Sequence, residues 1–414
     1  MRMKIHKIAW RNLWRRKRRT YITVFSIGFG VLLSATFTGM ADDSYRKMID
    51  TSATMGLGHI TVEPRGYNET PALDKRIFNT YIVKDTILRI PGVKYAHIRI
   101  MGQAMLASAN KSIGGVFIGI DPGTETGRHN LFVRSIIEGQ LFTGTDSPGA
   151  IVGNKVAEKL GIGINKKLVY TTTDVNGEII SEMARVTGIF QTGVSEVDGS
   201  MILLPIDRVR ATLGYGSADA TLISIVIEDQ RRASKMRNII NSAVGTPDTE
   251  VLSWKETQPE LASIISIDKA GNRIIQVLLG LLIAAGILNT LLMSVMERTR
   301  EFGVMMAVGM SPFTLFRLVI MESVWFGILG LILGAIITSP WYAFLYYHGI
   351  DFSGMVGNDY SASGVLIDPL MKIRLFRESA AAIMAGVFTL TILSGIYPAW
   401  RAGMVPPIES LKTI

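Results

Sequence analysis

Cysteine is absent from this 414-residue chain, and charged side chains make up only 19% of it. Without thiols there is no disulfide, no thiol nucleophile and no cysteine-ligated metal. The five histidines lie far apart and lack the spacing of metal ligands, so we expect no metal site. Hydrophobic residues reach 48% and mean hydropathy is +0.31, which excludes a disordered or collagen-like chain.

Motifs of nucleotide and hydrolase chemistry are also missing. The sequence contains no G-x-x-x-x-G-K-[ST], no G-x-G-x-x-G, no G-x-S-x-G and no H-E-x-x-H. Acidic residues are scattered and matched by basic ones. We therefore expect no enzyme and no cofactor bound by this chain, so that any energy for work comes from a partner.

The sequence does contain long apolar runs. Four runs, at 21–40, 274–296, 323–347 and 379–400, are nearly free of charge. About 20 such residues cross a bilayer core of ~30 Å. Four buried soluble helices are the weaker alternative. The first run is too long for a signal peptide and lacks an Ala-x-Ala site.

The basic surplus of the chain, +9 at pH 7, lies beside the spans. Residues 1–19 carry nine Lys or Arg, and the segments 297–317 and 401–414 add five. The positive-inside rule places these segments in the cytoplasm and both termini with them. Residues 41–273 carry 26 basic and 26 acidic residues. Orientation and anionic membrane lipid thus explain the charge, and we expect no nucleic-acid partner.

The N-terminal segment has helical periodicity. Met3, Lys7, Trp10 and Trp14 lie on one stripe, joined by Leu13, which favours a helix in the membrane interface. An unstructured topology tail is the alternative.

About 230 residues separate the first two spans, and alternating short strands and helices predict an α+β domain there. Among these elements are a helix over 154–160 and a turn at 176–177. Apolar periodicity also predicts that spans one and two extend outward as a paired helical stalk. The stalk and cavity residues are Ile264, Ile265, Ile267 and Ile274. A passive linker is the alternative.

Two stripes of small residues allow close helix packing. Ser26, Gly30 and Ser34 lie on span one, and Gly330 and Gly334 on span three. They indicate either packing against a second subunit or packing inside one subunit. Separately, Glu322 lies inside the third helix, where a carboxylate snorkels to the surface, pairs with a cation or acts as a relay.

The inner loop predicts a short amphipathic helix over 297–308. Gly309 would end it, and Ser311 with Pro312 would begin the next helix. A helix held in this way between two spans is suited to docking into a soluble partner.

These residues resemble a known family. Residues 296–311, with the sequence MERTREFGVMMAVGMS, resemble the signature loop of FtsX-like permeases, which include the MacB-type exporters and the lipoprotein-releasing Lol permeases. Residues 397–402 and 407–411 resemble the closing motif of that family. Residues 188–198, Trp254 and residues 258–261 resemble the Lol branch, although Arg298 stands where Lol permeases usually carry Lys.

The resemblance implies a coupling helix that docks on a cytoplasmic ABC ATPase dimer, which binds ATP and Mg. The implied ATPase-coupling residues are Glu297, Arg298, Arg300, Glu301, Phe302, Gly303, Met306 and Gly309. It also implies a bacterial inner membrane and a second permease, identical or homologous. By this resemblance ATP-driven closure moves the periplasmic domains, a mechanism called mechanotransmission.

The resulting prediction is a membrane protein with four transmembrane α-helices and a large periplasmic α+β domain on a helical stalk between spans one and two. Its predicted segments are a cytoplasmic amphipathic helix over 1–19, a first span over 20–41, the periplasmic domain with stalk helices over 42–272, a second span over 273–296, the coupling segment over 297–310, a third span over 311–347, a periplasmic loop over 348–378, a fourth span over 379–400 and a cytoplasmic tail over 401–414.

The predicted activity is extraction of acylated lipoproteins from the membrane for a periplasmic carrier. Two alternatives remain open. One is export of a small amphiphile or peptide through a periplasmic adaptor, and the other is FtsX-like signalling to a periplasmic hydrolase.

Overall fold

The computed structural model describes residues 5–351, 361–362, 365–366 and 370–404. The chain divides into two compact units. The helical unit comprises Met1–Ser44, Ile267–Asp351 and Leu370–Ile414. The sheet unit comprises Tyr45–Ser266 and Phe352–Pro369. The closing motif predicted at 407–411 lies outside the described residues.

The helices follow one another along the chain with short loops or strands between them. In order they are α1 Ile5–Arg15, α2 Lys17–Ser52, α3 Thr80–Leu88, α4 Leu131–Arg134, α5 Asn154–Leu160, α6 Ser195–Asp198, α7 Ile206–Leu213, α8 Ala233–Val244, α9 Trp254–Thr257, α10 Pro259–Glu297, α11 Thr299–Ala307, α12 Pro312–Tyr347 and α13 Arg377–Gly403. A π-helical turn, Ala53–Leu57, continues α2, and a 3-10 turn, Gln230–Arg232, precedes α8.

Among the described residues, four helices are long and apolar enough to cross a membrane: Lys17–Leu57, Pro259–Glu297, Pro312–Tyr347 and Arg377–Gly403. They correspond to the four predicted spans, in the predicted order around the large insertion. Each is longer than its apolar run, because polar but helix-compatible residues continue the helix at the ends. The first two extend well beyond their apolar runs, as the stalk prediction requires.

Small residues bring the spans of the helical unit together. A Cβ on Gly28 of α2 would lie 3.1 Å from the backbone nitrogen of Gly334, and Gly330 and Gly334 face Ile27 and Val31 of α2. Gly330 and Gly334 therefore serve packing within this chain, through a face of α2 that the Ser26 stripe did not include.

The predicted stripe on span one divides between two environments. Gly30 packs on Ile283 of α10, and the backbone oxygen of Ser34 accepts a hydrogen bond from Gln276 of the same helix. Ser26 is exposed, and its hydroxyl donates to its own helix. Gly30 and Ser34 thus also pack within the subunit, and only Ser26 remains available to a second chain.

The sheet unit is built on a mixed sheet of ten strands. The strands in chain order are β1 Ile60–Pro64, β2 Val93–Ala107, β3 Ser112–Ile120, β4 Ile136–Gly139, β5 Gly149–Gly153, β6 Lys167–Thr173, β7 Ile179–Phe190, β8 Met201–Pro205, β9 Leu222–Ile227 and β10 Thr249–Ser253. Their spatial order is β10-β1-β9-β2-β3-β8-β5-β7-β4, and β6 bridges β2 and β7. The pairs β3–β8 and β5–β7 are parallel.

These pairings explain the sequence pattern of the domain. Strand β6 closes a ring of six strands. Strands β1, β5 and β9 are buried along their whole length, including Thr61 and Glu63 of β1 and Ser224 of β9, so both faces of these strands are covered. Helix α5 and a hairpin turn between β6 and β7 occur where they are predicted, with Gly161 and Gly177 at positive φ. The α+β class is confirmed.

The segment between spans three and four is described only in part. Ile350–Asp351, strand β11, pairs with Leu370–Met371, strand β14, in antiparallel register. In the sequence between β11 and β14, strand β12, Ser361–Ala362, pairs with strand β13, Val365–Leu366.

Candidate functional site

The inner loop folds as a helix, a glycine turn and a second helix. Helix α10 stops at Arg298, where φ is −107° and ψ is 11°, and α11 begins at the next residue. Gly309 has φ +100°, and Ser311 accepts from the Thr314 amide to cap α12. The predicted helix of 297–308 is therefore shorter than expected. Glu297 ends α10 and Arg298 forms the junction.

One face of α11 is buried in the helical unit. Phe302 is fully buried in an apolar cluster with Leu315, Val319 and Ala399, and Met306 packs at the edge of this cluster. Gly303 and Arg298 are buried as well, Arg298 to 7% exposure. These predicted ATPase-coupling residues lie inside the helical unit, so any part they play in coupling is to position α11.

The opposite face of α11 is exposed and apolar. Arg300, Val304 and Val308 follow one another at helical spacing, and Val308 is 85% exposed. Beyond the turn, Phe313 is exposed, and the Arg317 guanidinium lies 5.9 Å from its ring. We call this surface the docking face. Arg300 was predicted from the sequence, but Val304, Val308 and Phe313 were not. The i, i+4 spacing from Arg300 would have revealed Val304 and Val308.

Glu322 is paired with a cation. It is 4% exposed, and its Oε1 accepts from Arg298 Nη1 at 2.9 Å and from Asn12 Nδ2 at 2.8 Å. Arg298 Nε also donates to Glu301 at 3.2 Å, and Glu301 forms an ion pair with Arg15 at 3.4 Å. Side chains from α1, α12 and the α10–α11 junction thus meet in one charge network, which we call the coupling end.

Helix α1 is part of this arrangement. Ala9 and Leu13 are its buried residues, and Trp10 packs edge-on against Trp325 of α12 at 4.8 Å. Arg19 pairs with Glu297 at 2.8 Å, and Arg16 pairs with the same carboxylate. The predicted helix is present, but its buried stripe differs, since Lys7 is exposed and Met3 lies outside the described residues.

Electrostatics keep Arg298 charged. Burial alone would lower the pKa of Arg298, but the neighbouring carboxylates of Glu322 and Glu301 offset this and raise its pKa above the ordinary value. Arg298 therefore keeps its positive charge at neutral pH in spite of its burial.

In the sheet unit, a second buried arginine joins three segments of the chain. Arg99 of β2 donates to both carboxylate oxygens of Glu125 at 2.7 and 2.5 Å, and through Nη1 to the Gly56 carbonyl at 2.5 Å. Asn130 donates to Glu125 at 2.7 Å. Burial would raise the pKa of Glu125, but Arg99 holds it below the ordinary value. Gly56, at φ +151°, lies in the π-helical turn that ends α2.

Further bonds tie both stalk helices to the sheet. His59 Nε2 lies 3.1 Å from the Asp50 carboxylate, and the Trp254 amide donates to the His59 carbonyl at 2.9 Å. Ser52, at the end of α2, hydrogen-bonds to Gln258, immediately before α10. We call residues 50–61 and 253–258, with Arg99 and Glu125, the stalk root. The Ser52–Gln258 bond places the end of α2 beside the start of α10 within the sheet unit.

The predicted stalk and cavity residues have unequal exposure. Ile265 is buried and Ile264 is half-buried. Ile267 and Ile274 are 70% and 62% exposed. Only the first two stabilise packing within the chain, and the other two are free to contact lipid, substrate or a second subunit.

Family comparisons agree with this architecture. Residues 20–243 match the family described as MacB-like periplasmic core domain, and residues 273–407 match the FtsX-like permease C-terminal family. The chain is therefore a membrane-spanning permease of the ABC transporter class. Within that class, it belongs to the MacB and FtsX-like type. Closeness to the Lol branch is not confirmed.

Curated relatives are distant but span nearly the whole chain. The pyoverdine export ATP-binding/permease proteins PvdT of Pseudomonas entomophila and Pseudomonas putida are 23% and 22% identical over 98% of this chain. The chain spans 59% of their length. An uncharacterized ABC transporter permease of Methanocaldococcus jannaschii is 21% identical over 98% of this chain and 96% of its own length.

Two solved structures resemble the chain weakly. The periplasmic region of MacB from Actinobacillus actinomycetemcomitans has a TM-score of 0.35 at 14% identity, covering 52% of this chain and 98% of that one. The extracellular domain of the transporter YknZ from Gram-positive bacteria has a TM-score of 0.33 at 16% identity, covering 47% and 99%.

Proposed function

We propose that this chain is the mechanotransmission permease of an ABC transporter. One observation carries the proposal: α10 is a single helix of 39 residues from the stalk root to the coupling end. At 1.5 Å per residue it is about 58 Å long. A displacement of the α10–α11 junction at Arg298 would therefore reach the sheet unit along one continuous helix.

The driving partner in this proposal is a cytoplasmic ABC ATPase dimer that carries ATP and Mg. The docking face supports it, because Val304, Val308 and Phe313 expose apolar side chains flanked by Arg300 and Arg317. Charge bias supports a bacterial inner membrane with both termini cytoplasmic. The exposed apolar Ile267 and Ile274 support a second permease subunit, identical or homologous.

For substrate we propose export of a small amphiphile or peptide, supported by the export role in the names of the PvdT relatives. Extraction of acylated lipoproteins for a periplasmic carrier is the second candidate. It is supported by exposed apolar side chains at Ile267 and Ile274, because acyl chains gain ~0.8 kcal/mol per buried methylene. Signalling to a periplasmic hydrolase would use the same helix without moving substrate.

A flexible break in the stalk tests mechanotransmission. Replacing Ile264 and Ile265 together by glycine costs roughly 1 kcal/mol of helix propensity per residue. In vesicles containing the permease and its ATPase, we expect hydrolysis to persist while release of substrate falls at least tenfold. Mass spectrometry of co-purifying lipopeptides or small amphiphiles identifies the substrate for the release assay.

The matched control replaces Ile264 and Ile265 by alanine. This change removes the same apolar contacts but keeps the helix continuous, so we expect release to stay within about twofold of the parent. Equal loss in both variants would mean that packing matters and continuity does not. Normal release with the glycine pair would contradict mechanotransmission.

A charge on the docking face tests the partner. Val308→Asp is expected to weaken binding of the ATPase at least tenfold without changing the fold, because the side chain makes few contacts within the chain. Ile179→Asp, an equally exposed apolar residue of the sheet unit, is the control and should leave binding unchanged. Pull-down of the ATPase with permease in detergent gives the measurement, and unchanged binding by Val308→Asp would remove the docking assignment.

A further inference from the structure

A cavity of about 210 Å³ lies at the coupling end, bounded by α1, the start of α2, the end of α10 and α12. Its walls carry Arg15, Arg16, Arg19 and Arg298 against Glu301 and Glu322. Glu297 beside the cavity pairs with Arg16 and Arg19, and a net positive charge remains. One water molecule needs only ~15 Å³ of such space. The cavity therefore has room for a polyatomic anion.

Two of these arginines keep a buried N–H group with no acceptor. Arg298 uses Nε and Nη1 for Glu301 and Glu322, but its Nη2 has no partner within the described residues. Arg19 Nη1 is likewise buried without an acceptor in this part of the chain. Buried donors in native proteins are almost always satisfied. Two unsatisfied N–H groups, on two arginines that line one cavity, point to an acceptor that the described residues do not supply.

Aromatic side chains indicate the depth of the cavity in the membrane. Trp10 lies 5.7 Å from Trp14 and 4.8 Å from Trp325, between ring centroids. Clustered tryptophans at the end of spanning helices are typical of the headgroup level of a bilayer. Ser294 and Phe326, from two spanning helices, complete the inner wall. The anion most abundant at this level is the phosphate of a lipid.

We propose that this cavity binds a phosphate group, supplied by an anionic phospholipid, and that Arg298 Nη2 and Arg19 Nη1 donate to its oxygens. A guanidinium suits this ligand because its planar fork matches two phosphate oxygens. The bound lipid would join the start of α2 to the α10–α11 junction. The site is independent of the transport proposal, since it requires no ATPase and no substrate.

Native mass spectrometry of the full chain in neutral detergent tests the site. We expect one phosphatidylglycerol to be retained in preference to phosphatidylcholine, whose choline offsets the phosphate charge. Arg19→Gln should lower this retention at least fivefold. Arg11→Gln is the matched control, because it removes the same charge from an exposed position of α1 and should leave retention unchanged.

A second variant keeps the test valid if Arg19→Gln fails to fold. Arg298→Lys retains the positive charge beside Glu322 but removes the forked donor, and we expect the same fivefold loss. Inorganic phosphate added to lipid-free protein distinguishes the source. A rise in melting temperature that Arg298→Lys abolishes, without selective lipid retention, would support the phosphate site with a soluble occupant.

Two outcomes would overturn the proposal. Equal loss of lipid in Arg11→Gln and Arg19→Gln would show general attraction to a basic surface. Equal retention of the two lipids, with no response to inorganic phosphate, would show that the cavity holds only water.

Discussion

The stalk root and the coupling end each bury an arginine beside a glutamate, but they satisfy it differently. At the stalk root, Glu125 accepts two hydrogen bonds from Arg99, and Gly56 accepts a third. At the coupling end, Arg298 reaches two carboxylates by single bonds and leaves Nη2 without a partner among the described residues.

The difference follows from what surrounds each pair. Arg99 lies on β2 and Glu125 in the loop after β3, and both are buried. The π-helical turn after α2 brings the Gly56 carbonyl to the Arg99 guanidinium. Arg298 lies at a helix junction beside a cavity, where Glu301 is partly exposed and shared with Arg15. We infer that the stalk root is built to be rigid and that the coupling end is built to rearrange or to accept a ligand.

The largest expected effect is at the stalk root. Glu125→Gln leaves a buried Arg99 without its countercharge, and we expect the sheet unit to lose about 3–5 kcal/mol of stability. Hydrogen exchange of β2 and β9 amides in the full chain measures this loss. Glu182→Gln, which breaks a half-exposed pair with Arg208, should cost less than about 1 kcal/mol. Similar losses in the two variants would contradict the rigid-root interpretation.

The sheet unit should also respond to pH through Glu63. Burial raises the pKa of this carboxyl to about 7, helped by Glu250 across the strand pair β1–β10. Because the folded pKa lies above the ordinary 4.5, the folded state holds the proton longer. This contribution to stability is therefore present below pH 4.5 and is lost as pH rises through 7. The rise of the Glu63 pKa from 4.5 to about 7 corresponds to about 3 kcal/mol of folding free energy.

A variant separates the effect of Glu63 from that of His97. Burial lowers the pKa of His97 to about 4. His97 has the opposite effect on the pH dependence of stability. Its contribution to the stability of the sheet unit is lost as pH falls from 6.5 to 4. Glu63→Gln removes only the first effect, so its stability advantage over the parent should grow from pH 4.5 to pH 8. Hydrogen exchange of β1 at the two pH values measures it, and a constant difference would refute the assignment.

At the coupling end we expect a smaller loss of stability. Glu322→Gln removes the countercharge of Arg298, but Glu301 remains as a partner, so we expect about 1–3 kcal/mol. The control, Glu297→Gln, breaks the more exposed pairs with Arg16 and Arg19 and should cost under about 1 kcal/mol. Exchange of α11 amides gives both values. A loss for Glu322→Gln as large as that for Glu125→Gln would erase the proposed contrast.

The smallest effect compares the glycine turn after α11 with a glycine inside α10. A Cβ would meet nothing within 4 Å at either Gly309 or Gly271. Gly309 has φ +100°, so Gly309→Ala should destabilise the turn by about 1 kcal/mol. Gly271 is inside α10, so Gly271→Ala should stabilise the helix by a similar amount. Amide exchange measures both changes in stability. Changes of the same sign in the two variants would show that backbone conformation does not decide the effect of alanine at these positions.

Several features were predictable because they depend on local sequence. Apolar length identifies α12, and Ser311 with Pro312 places its start, since a cap and a proline act on their own helix. Gly309 was assigned correctly for the same reason. The roles of Arg298 and Phe302 were not foreseeable in this way, because their burial depends on α1, α12 and α13, which are distant in the chain.

The sequence by itself determined the four spans, the α+β class of the insertion and the family, because hydropathy, periodicity and a contiguous motif are properties of short segments. Tertiary structure decided which small residues meet: Gly28, rather than Ser26, faces Gly330 and Gly334. It also decided that Glu322 pairs with Arg298 and that Arg99 pairs with Glu125. Such pairings depend on how helices and strands pack, and a buried charge selects its partner only when that packing removes water from both.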